Sequence, residues 1–195
     1  MAGSGRGRSQ TWKTFLHNHV AGIGAMDVLI VPTVGFRLLF VLIILRHQRR
    51  RLISLTVTAH PTAEWIACQI TGAFPWDEAP DYLIRNRDAS FGQVVAKRLA
   101  AMGIRDHPTA PRSPWQNGHA ERLIGSIRRQ CLDHIVIFGE AHLRRILAAD
   151  TGYYNGVRTH LSLDKDAPSH RPIQRLGQLA AQPVLGGLHH QYCRI

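Results

Sequence analysis

Apolar positions run in short blocks through the first third of the chain and then recur at three- and four-residue intervals. Ala25 to Val31, AMDVLIV, predicts a strand in which Asp27 shares a face with Leu29 and Val31. Burying an unpaired carboxylate is expensive, so an acid there calls for a cation, several donors, or backbone N–H groups at a strand end or bulge. A turn at Pro32 to Gly35 leads into a second strand, Phe36 to Leu45. The basic loop His47 to Arg51 (HQRRR) and a third strand, Leu52 to Thr58, follow. Three strands on short turns predict an antiparallel meander.

The period then lengthens. His60-Pro61 opens a predicted helix with Pro61 near its first position and Ile66, Ala67, Ile70, Ala73 and Phe74 on its apolar face. Tyr82-Leu83-Ile84 is a short fourth strand running into RNRD. Phe91, Val94, Val95, Leu99 and Met102 mark a second helix, stopped by Gly103, and Ile104 begins a short fifth strand. After a proline-rich loop from Pro108, the residues Ala120, Leu123, Ile124, Ile127 and Cys131 predict a third helix. Two starts fit it: a Ser113 cap with Pro114 in the first turn, or an Asn117 cap with the helix beginning at Gly118. Leu143, Ile146 and Leu147 place a last helix that runs into Tyr153-Tyr154-Asn155.

Residues 1–18 lack such a period and read as a flexible basic lead-in; from Asp164 the prolines 168, 172 and 183 and Gly186-Gly187 indicate an extended C-terminal tail, 164–195. The body, 19–163, is therefore α/β: a mixed five-stranded sheet flanked by helices.

Charge changes the picture. Lys+Arg number 24 against 13 Asp+Glu, a net charge of +11. Only three basic residues lie before Thr14, so the whole domain is basic and suits a polyanion, nucleic acid or an acidic membrane surface. Val28 to Leu45 is long enough to raise the question of a membrane span, but Pro32, Gly35 and Arg37 interrupt it, and no signal-peptide pattern follows the early arginines. The expectation is a cytoplasmic protein with no membrane partner. Cys68, Cys131 and Cys193 are widely spaced and form no CxxC, which excludes a disulfide framework or a zinc ribbon; the 12 histidines are scattered.

The candidate chemistry begins at Glu121. It sits off the centre of the apolar face of its helix, with Arg128 nearly two turns later on the same side and Arg122 and Arg129 repeating that relation on the next stripe. Such a pattern fits a metal ligand beside a phosphate track, or a solvated charged face; the stretch alone favours the second. Asp27, the strand end at 86–88 and Glu121 are the three acidic places the topology can bring to one sheet edge.

Those residues, with YLIRNRDASFG, APRSPWQNGHAERLIGSIRRQCLDH and YYNGVRTHLSLDKDAP, resemble the catalytic core of the DDE integrase and transposase superfamily, of the bacterial insertion-sequence type. The resemblance runs from about Trp12 to the C-terminus and implies a ribonuclease H-like fold. It also implies DNA integration or transposition by strand transfer, with two Mg²⁺ or Mn²⁺ ions held by three carboxylates. Hard ions of this kind want oxygen ligands, which suits carboxylates rather than histidines or thiols. By resemblance Asp27 bridges both ions and Glu121 holds one. Gln116, Asn117, Arg122, Arg128, Arg129, Arg158 and His160 become DNA contacts; for Gln116 and Asn117 the competing role is helix capping. The partners implied are element-end and target DNA and further copies of the chain, in a nucleoid-associated protein. The mobile loop that integrases carry here favours the helix start at Gly118.

Two departures qualify the resemblance. Aligning Phe91 with the family's aromatic puts the second acid at Asn86, with 34 residues between it and Glu121; from Asp88 there are only 32. An Asn carbonyl ligates a metal without offsetting its charge; Asp88 is then the remaining candidate for the second catalytic and metal-ligating acid, and to serve it has to swing in from two residues along a turn. Second, about a score of residues precede the Asp27 strand, too few for the helix-turn-helix that such proteins carry, so the expectation is an N-terminally truncated copy. The sequence therefore supports a metal-dependent strand-transfer enzyme impaired at Asn86, or a catalytically inactive DNA-binding and oligomerising remnant. A ribonuclease H-like nuclease acting on hybrids or junctions is a third reading, which the WQNG and YYN…RTH blocks argue against.

Overall fold

Strict alternation in the first strand divides the molecule into two cores. The computed structural model describes residues 11–75, 78–88 and 91–195. In β1 (Ile23–Pro32), Ile23, Ala25, Leu29 and Val31 face one core while Met26 faces the other. β2 (Leu38–Arg46) does the same with Leu39, Val41, Ile43 and Leu45 against Leu42 and Ile44. Because both faces are covered, these central strands read as nearly continuous apolar runs.

Five strands form one sheet in the order β3-β2-β1-β4-β5, where β3 is Leu52–Thr58, β4 Tyr82–Arg85 and β5 Arg105–Pro108. The pairs β1–β2 and β2–β3 are antiparallel; β1–β4 and β4–β5 are parallel. This is the predicted meander followed by two crossovers, the mixed five-stranded sheet flanked by helices that the sequence led one to expect.

Helices α2 (Ala63–Ala73) and α3 (Gly92–Ala101) cover one face through Ile66, Ile70, Val95 and Leu99. Helices α4 (Gly118–Gln130) and α5 (Glu140–Gly156) cover the other through Ala120, Leu123, Ile127, Leu143, Leu147 and Tyr154. Each fully buried Leu or Ile contributes roughly 2 kcal/mol, so the apolar stripe of α4 seats that helix firmly and its polar residues are carried along.

Several local expectations change. The helix predicted from His60-Pro61 begins at Ala63, because the Thr62 side chain accepts from Trp65 N–H and takes the cap itself. Residues 1–10 of the expected lead-in lie outside the described residues, but Trp12–His19 forms helix α1, capped by Thr11. Its Trp12 and Phe15 rings meet His107 of β5 at 5.1 and 5.2 Å, and Phe15 meets Tyr82 of β4 at 5.0 Å. Aromatic packing over the end of the sheet, which no local period announces, orders this helix. The expected extended tail likewise contains an antiparallel hairpin, β6 (Leu179–Val184) with β7 (His189–Arg194). Its turn passes Gly186 and Gly187 at positive φ, which glycine adopts without penalty.

Candidate active site

Asp27 sits in the middle of β1, paired across the sheet with Ile43 and only 7 % exposed. Desolvation pushes its carboxyl up to about 6; the Val28 N–H pulls it back, and the like charges of Glu121 and Asp88 raise it again. Asp27 therefore feels the charge of acids from two other segments.

The parallel β1–β4 register places Arg85 beside Met26, so the next residue, Asn86, falls beside Asp27. Its Nδ2 donates to Asp27 Oδ1 at 2.8 Å, the same oxygen that accepts from Val28 N at 2.8 Å. Asn86 Oδ1 in turn accepts from Asp88 N at 3.2 Å. A carboxylate only accepts, so the amide must turn its NH₂ toward Asp27 and its oxygen away. The arginines on either side hold this turn. Arg85 pairs bidentately with Asp106 at 2.8 and 2.7 Å, and Arg87 Nε donates to Thr109 O at 2.7 Å.

Glu121 comes from the other side, in the first turn of α4, exposed, where the helix dipole favours a carboxylate. Both expected helix starts are partly used: Pro114 opens a 3-10 turn, Pro114–Asn117, and the α-helix begins at Gly118. Neither Ser113 nor Asn117 caps with its side chain. Asn117, expected as a DNA contact or a cap, is 1 % exposed and donates from Nδ2 to Met26 O at 3.1 Å. It ties the start of α4 to the residue before Asp27 and offers no surface to DNA in this conformation. Gln116 is half-buried, and its Oε1 accepts from Ala110 N at 2.6 Å, closing the proline-rich loop.

The expected DNA-contact cations part into two groups. Arg128 reaches toward the end of β1, its Nη2 3.5 Å from Ile30 O. Arg122, Arg129, Arg158 and His160 instead line a cleft between α4 and α5, together with Arg50, His119, Ser126 and Tyr154, which the sequence did not single out. The only hint of Arg50 was the HQRRR loop. The YYN motif explains itself here: Tyr154 Oη donates to Arg50 O at 3.2 Å. Asn155 clamps both backbone groups of Leu52, accepting from its N–H at 3.0 Å and donating to its C=O at 2.8 Å. It fastens α5 to the start of the edge strand β3.

A divalent ion at the acid corner would draw on Asp27, Glu121 and Asp88. Among the described residues no group of three or more His, Cys, Asp or Glu is arranged to hold a metal ion. The donor set gives the reason. Position 86 presents N–H to Asp27 where a third carboxylate would present oxygen, so the residues do not fit a three-carboxylate site as they stand.

A family model described as Integrase core domain matches residues 102–168, the stretch that carries Glu121, α4, α5 and the YYN…RTH segment. No curated protein sequence matches the chain significantly. Among solved structures, the simian T-cell lymphotropic virus intasome in complex with PP2A regulatory subunit B56 gamma contains a chain that aligns with a TM-score of 0.63 at 12% identity. The alignment covers 88% of this chain and 66% of that one. The HTLV-2 integrase catalytic core domain in complex with magnesium aligns with a TM-score of 0.58 at 12% identity, over 72% of this chain and 90% of the other. The catalytic domain of Mos1 mariner transposase aligns with a TM-score of 0.60 at 12% identity, over 72% and 77%. Fold and matched segment agree: the chain has the ribonuclease H-like fold of integrase and transposase catalytic cores, and residues 102–168 match the Integrase core domain model.

Proposed function

We propose that the chain acts in DNA integration or transposition as an integrase-type core whose metal site is weakened at Asn86. The observation that carries this reading is the integrase core match over residues 102–168, the segment with Glu121, on a fold of the integrase and transposase type; the like charges of Glu121 and Asp88, which raise the Asp27 carboxyl, support it. Mg²⁺ or Mn²⁺ is the ion class such oxygen donors suit, and the HTLV-2 core was solved with magnesium. DNA is the substrate class that the +11 charge and the arginines of α4 favour, and the dimeric and trimeric forms of the HTLV-2 core support further copies of the chain as partners. Asn86 limits the site twice, since its amide withholds a negative charge and engages the Asp27 oxygen an ion would take.

That hydrogen bond also supports the second reading, a DNA-binding and oligomerising remnant without catalysis. A titration of Mg²⁺ and Mn²⁺ against nicking and strand transfer, on the natural chain and on Asn86→Asp, separates them. Weak metal-dependent cleavage by the natural chain, lost on Glu121→Gln and raised in Asn86→Asp, is the expected result. Cleavage by Asn86→Asp alone places the natural chain with the second reading. Activity indifferent to Glu121→Gln would sink the site.

A further inference from the structure

The cleft between α4 and α5, about 260 Å³, is lined by four guanidiniums and two imidazoles and by no carboxylate. Arg50 comes from the β2–β3 connection, Arg122 and Arg129 from positions nearly two turns apart on α4, and Arg158 from just beyond α5. Outside the cleft Arg49 pairs with Asp166, Arg85 with Asp106 and Arg144 with Glu140, while other arginines of this basic chain take part in no such pair among the described residues; what sets the cleft apart is that four of them line one space. Among the described residues none of the four cleft arginines forms a salt bridge. Asp150, buried in α5, feels Arg158 but does not line the cleft.

Three of these guanidiniums have contacts that fix their direction, although Arg122 and Arg129 are exposed. Arg122 Nε donates to Gly118 O at 2.8 Å. Arg129 folds back over Gly125, so close that a Cβ there would come within 3.1 Å of its Nη1. Arg158 lies 5.6 Å over the Tyr154 ring, with Nη2 3.5 Å from Ser126 Oγ. His160 Nε2 is buried and without a hydrogen-bond partner. Burial lowers the affinity of the His119 and His160 rings for a proton, and the neighbouring arginines lower it further. The cleft therefore keeps a positive field unrelieved by any group of its own.

Gathering four like charges is unfavourable unless an anion completes the set, and phosphate offers several acceptor oxygens to planar N–H forks. The volume is below the 300 Å³ or so at which pockets begin to take drug-sized ligands, which points to one or two phosphate groups and not to a nucleoside. Arg122 follows Glu121 by one residue, about 100° around the helix, so the cleft and the acid corner open on different sides of α4. We propose that this cleft is a phosphate-binding site, separate from the acid corner, that takes a phosphate of a DNA backbone or of a free pyrophosphate. Its DNA arm rests on the proposed function; the phosphate site itself does not.

The test uses the full chain in EDTA, so that failure of metal-dependent catalysis cannot be mistaken for failure of the site. A 20-base-pair duplex of arbitrary sequence is titrated by fluorescence anisotropy across a salt series, and inorganic pyrophosphate by its effect on Tm. Arg129→Gln with Arg158→Gln should weaken duplex binding on the order of 10-fold and flatten the log–log salt slope by up to about 2. Arg98→Gln with Arg145→Gln, equal in charge but at exposed positions outside the cleft, should do far less. Ser126→Asp supplies a carboxylate inside the cleft, and it should raise Tm while abolishing the pyrophosphate effect, which poor folding cannot imitate. Loss of both ligands in the cleft variants assigns a general phosphate site, and loss of duplex binding without any pyrophosphate effect in the natural chain assigns the backbone source. Equal losses in the cleft and control pairs, or a Ser126→Asp chain that binds as before, overturn the proposal.

Discussion

Helix α4 separates two regions of opposite character. At the acid corner, one buried carboxylate is answered from within: Asp27 receives the Val28 N–H and the Asn86 amide. In the α4–α5 cleft, four guanidiniums form no salt bridge among the described residues, and no carboxylate lines the cleft with them. The same helix serves both, offering Glu121 to one and Arg122, Ser126 and Arg129 to the other. The difference teaches where to look for ligands. At the acid corner the oxygen an ion would take is already engaged, although burial still makes its charge costly, whereas in the cleft no lining carboxylate meets the positive charges, which leaves them open to an anion from outside.

The comparison should break most visibly at position 86. Asn86→Asp removes the internal answer to Asp27, and metal affinity should rise on the order of 100-fold, comparable to the loss of a metal-site partner; isothermal titration with Mn²⁺ checks it. Next comes Asp27→Asn. The carboxyl is raised from 3.8 to about 6, so above that pH its ionisation costs folding free energy, and the variant should gain about 2 kcal/mol at pH 7. That cost is relieved as pH falls from about 6 toward 4, where the folded protein holds the proton more firmly than the unfolded chain. The advantage should accordingly vanish near pH 4 in denaturant melts. His47 and His119 act with the opposite sign. Burial, with each ring's charged neighbours, lowers them to about 3 and about 4, so acid takes stability away below about pH 6.5, in the natural chain and the variant alike.

Asn155→Ala should cost about 2 kcal/mol, because it strips both polar groups of Leu52 of their side-chain partner; the urea midpoint reports it. The smallest effect on stability belongs to the cleft. Arg129→Gln should leave the melt almost unchanged while lowering the DNA salt slope by about 0.9, so the two regions would be told apart by the kind of response and not only by its size.

Periodicity carried most of the sheet. The apolar blocks around Asp27, Ile43 and Val57 follow from a sheet covered on both faces, and the 3.6 period of Leu123 and Ile127 from a helix buried on one; both are local, because burial is written in residue type. Asn86 stood out only through the family resemblance, from the alignment of Phe91 and the 34 residues that separate position 86 from Glu121. The Trp12–His19 helix was not legible, since its order comes from rings of Tyr82 and His107 far along the chain. Nor was the role of Asn117, whose neighbours suggest a cap while its side chain is spent on Met26 O.

The sequence by itself determined the strand and helix order, the basic character and the places where acids fall, because each depends on residue type and spacing along one segment. Only the tertiary structure decided which way the Asn86 amide faces and which arginines share a cleft. Those depend on the register of β1 with β4 and on the approach of α5 to α4, relations between segments that no single stretch contains.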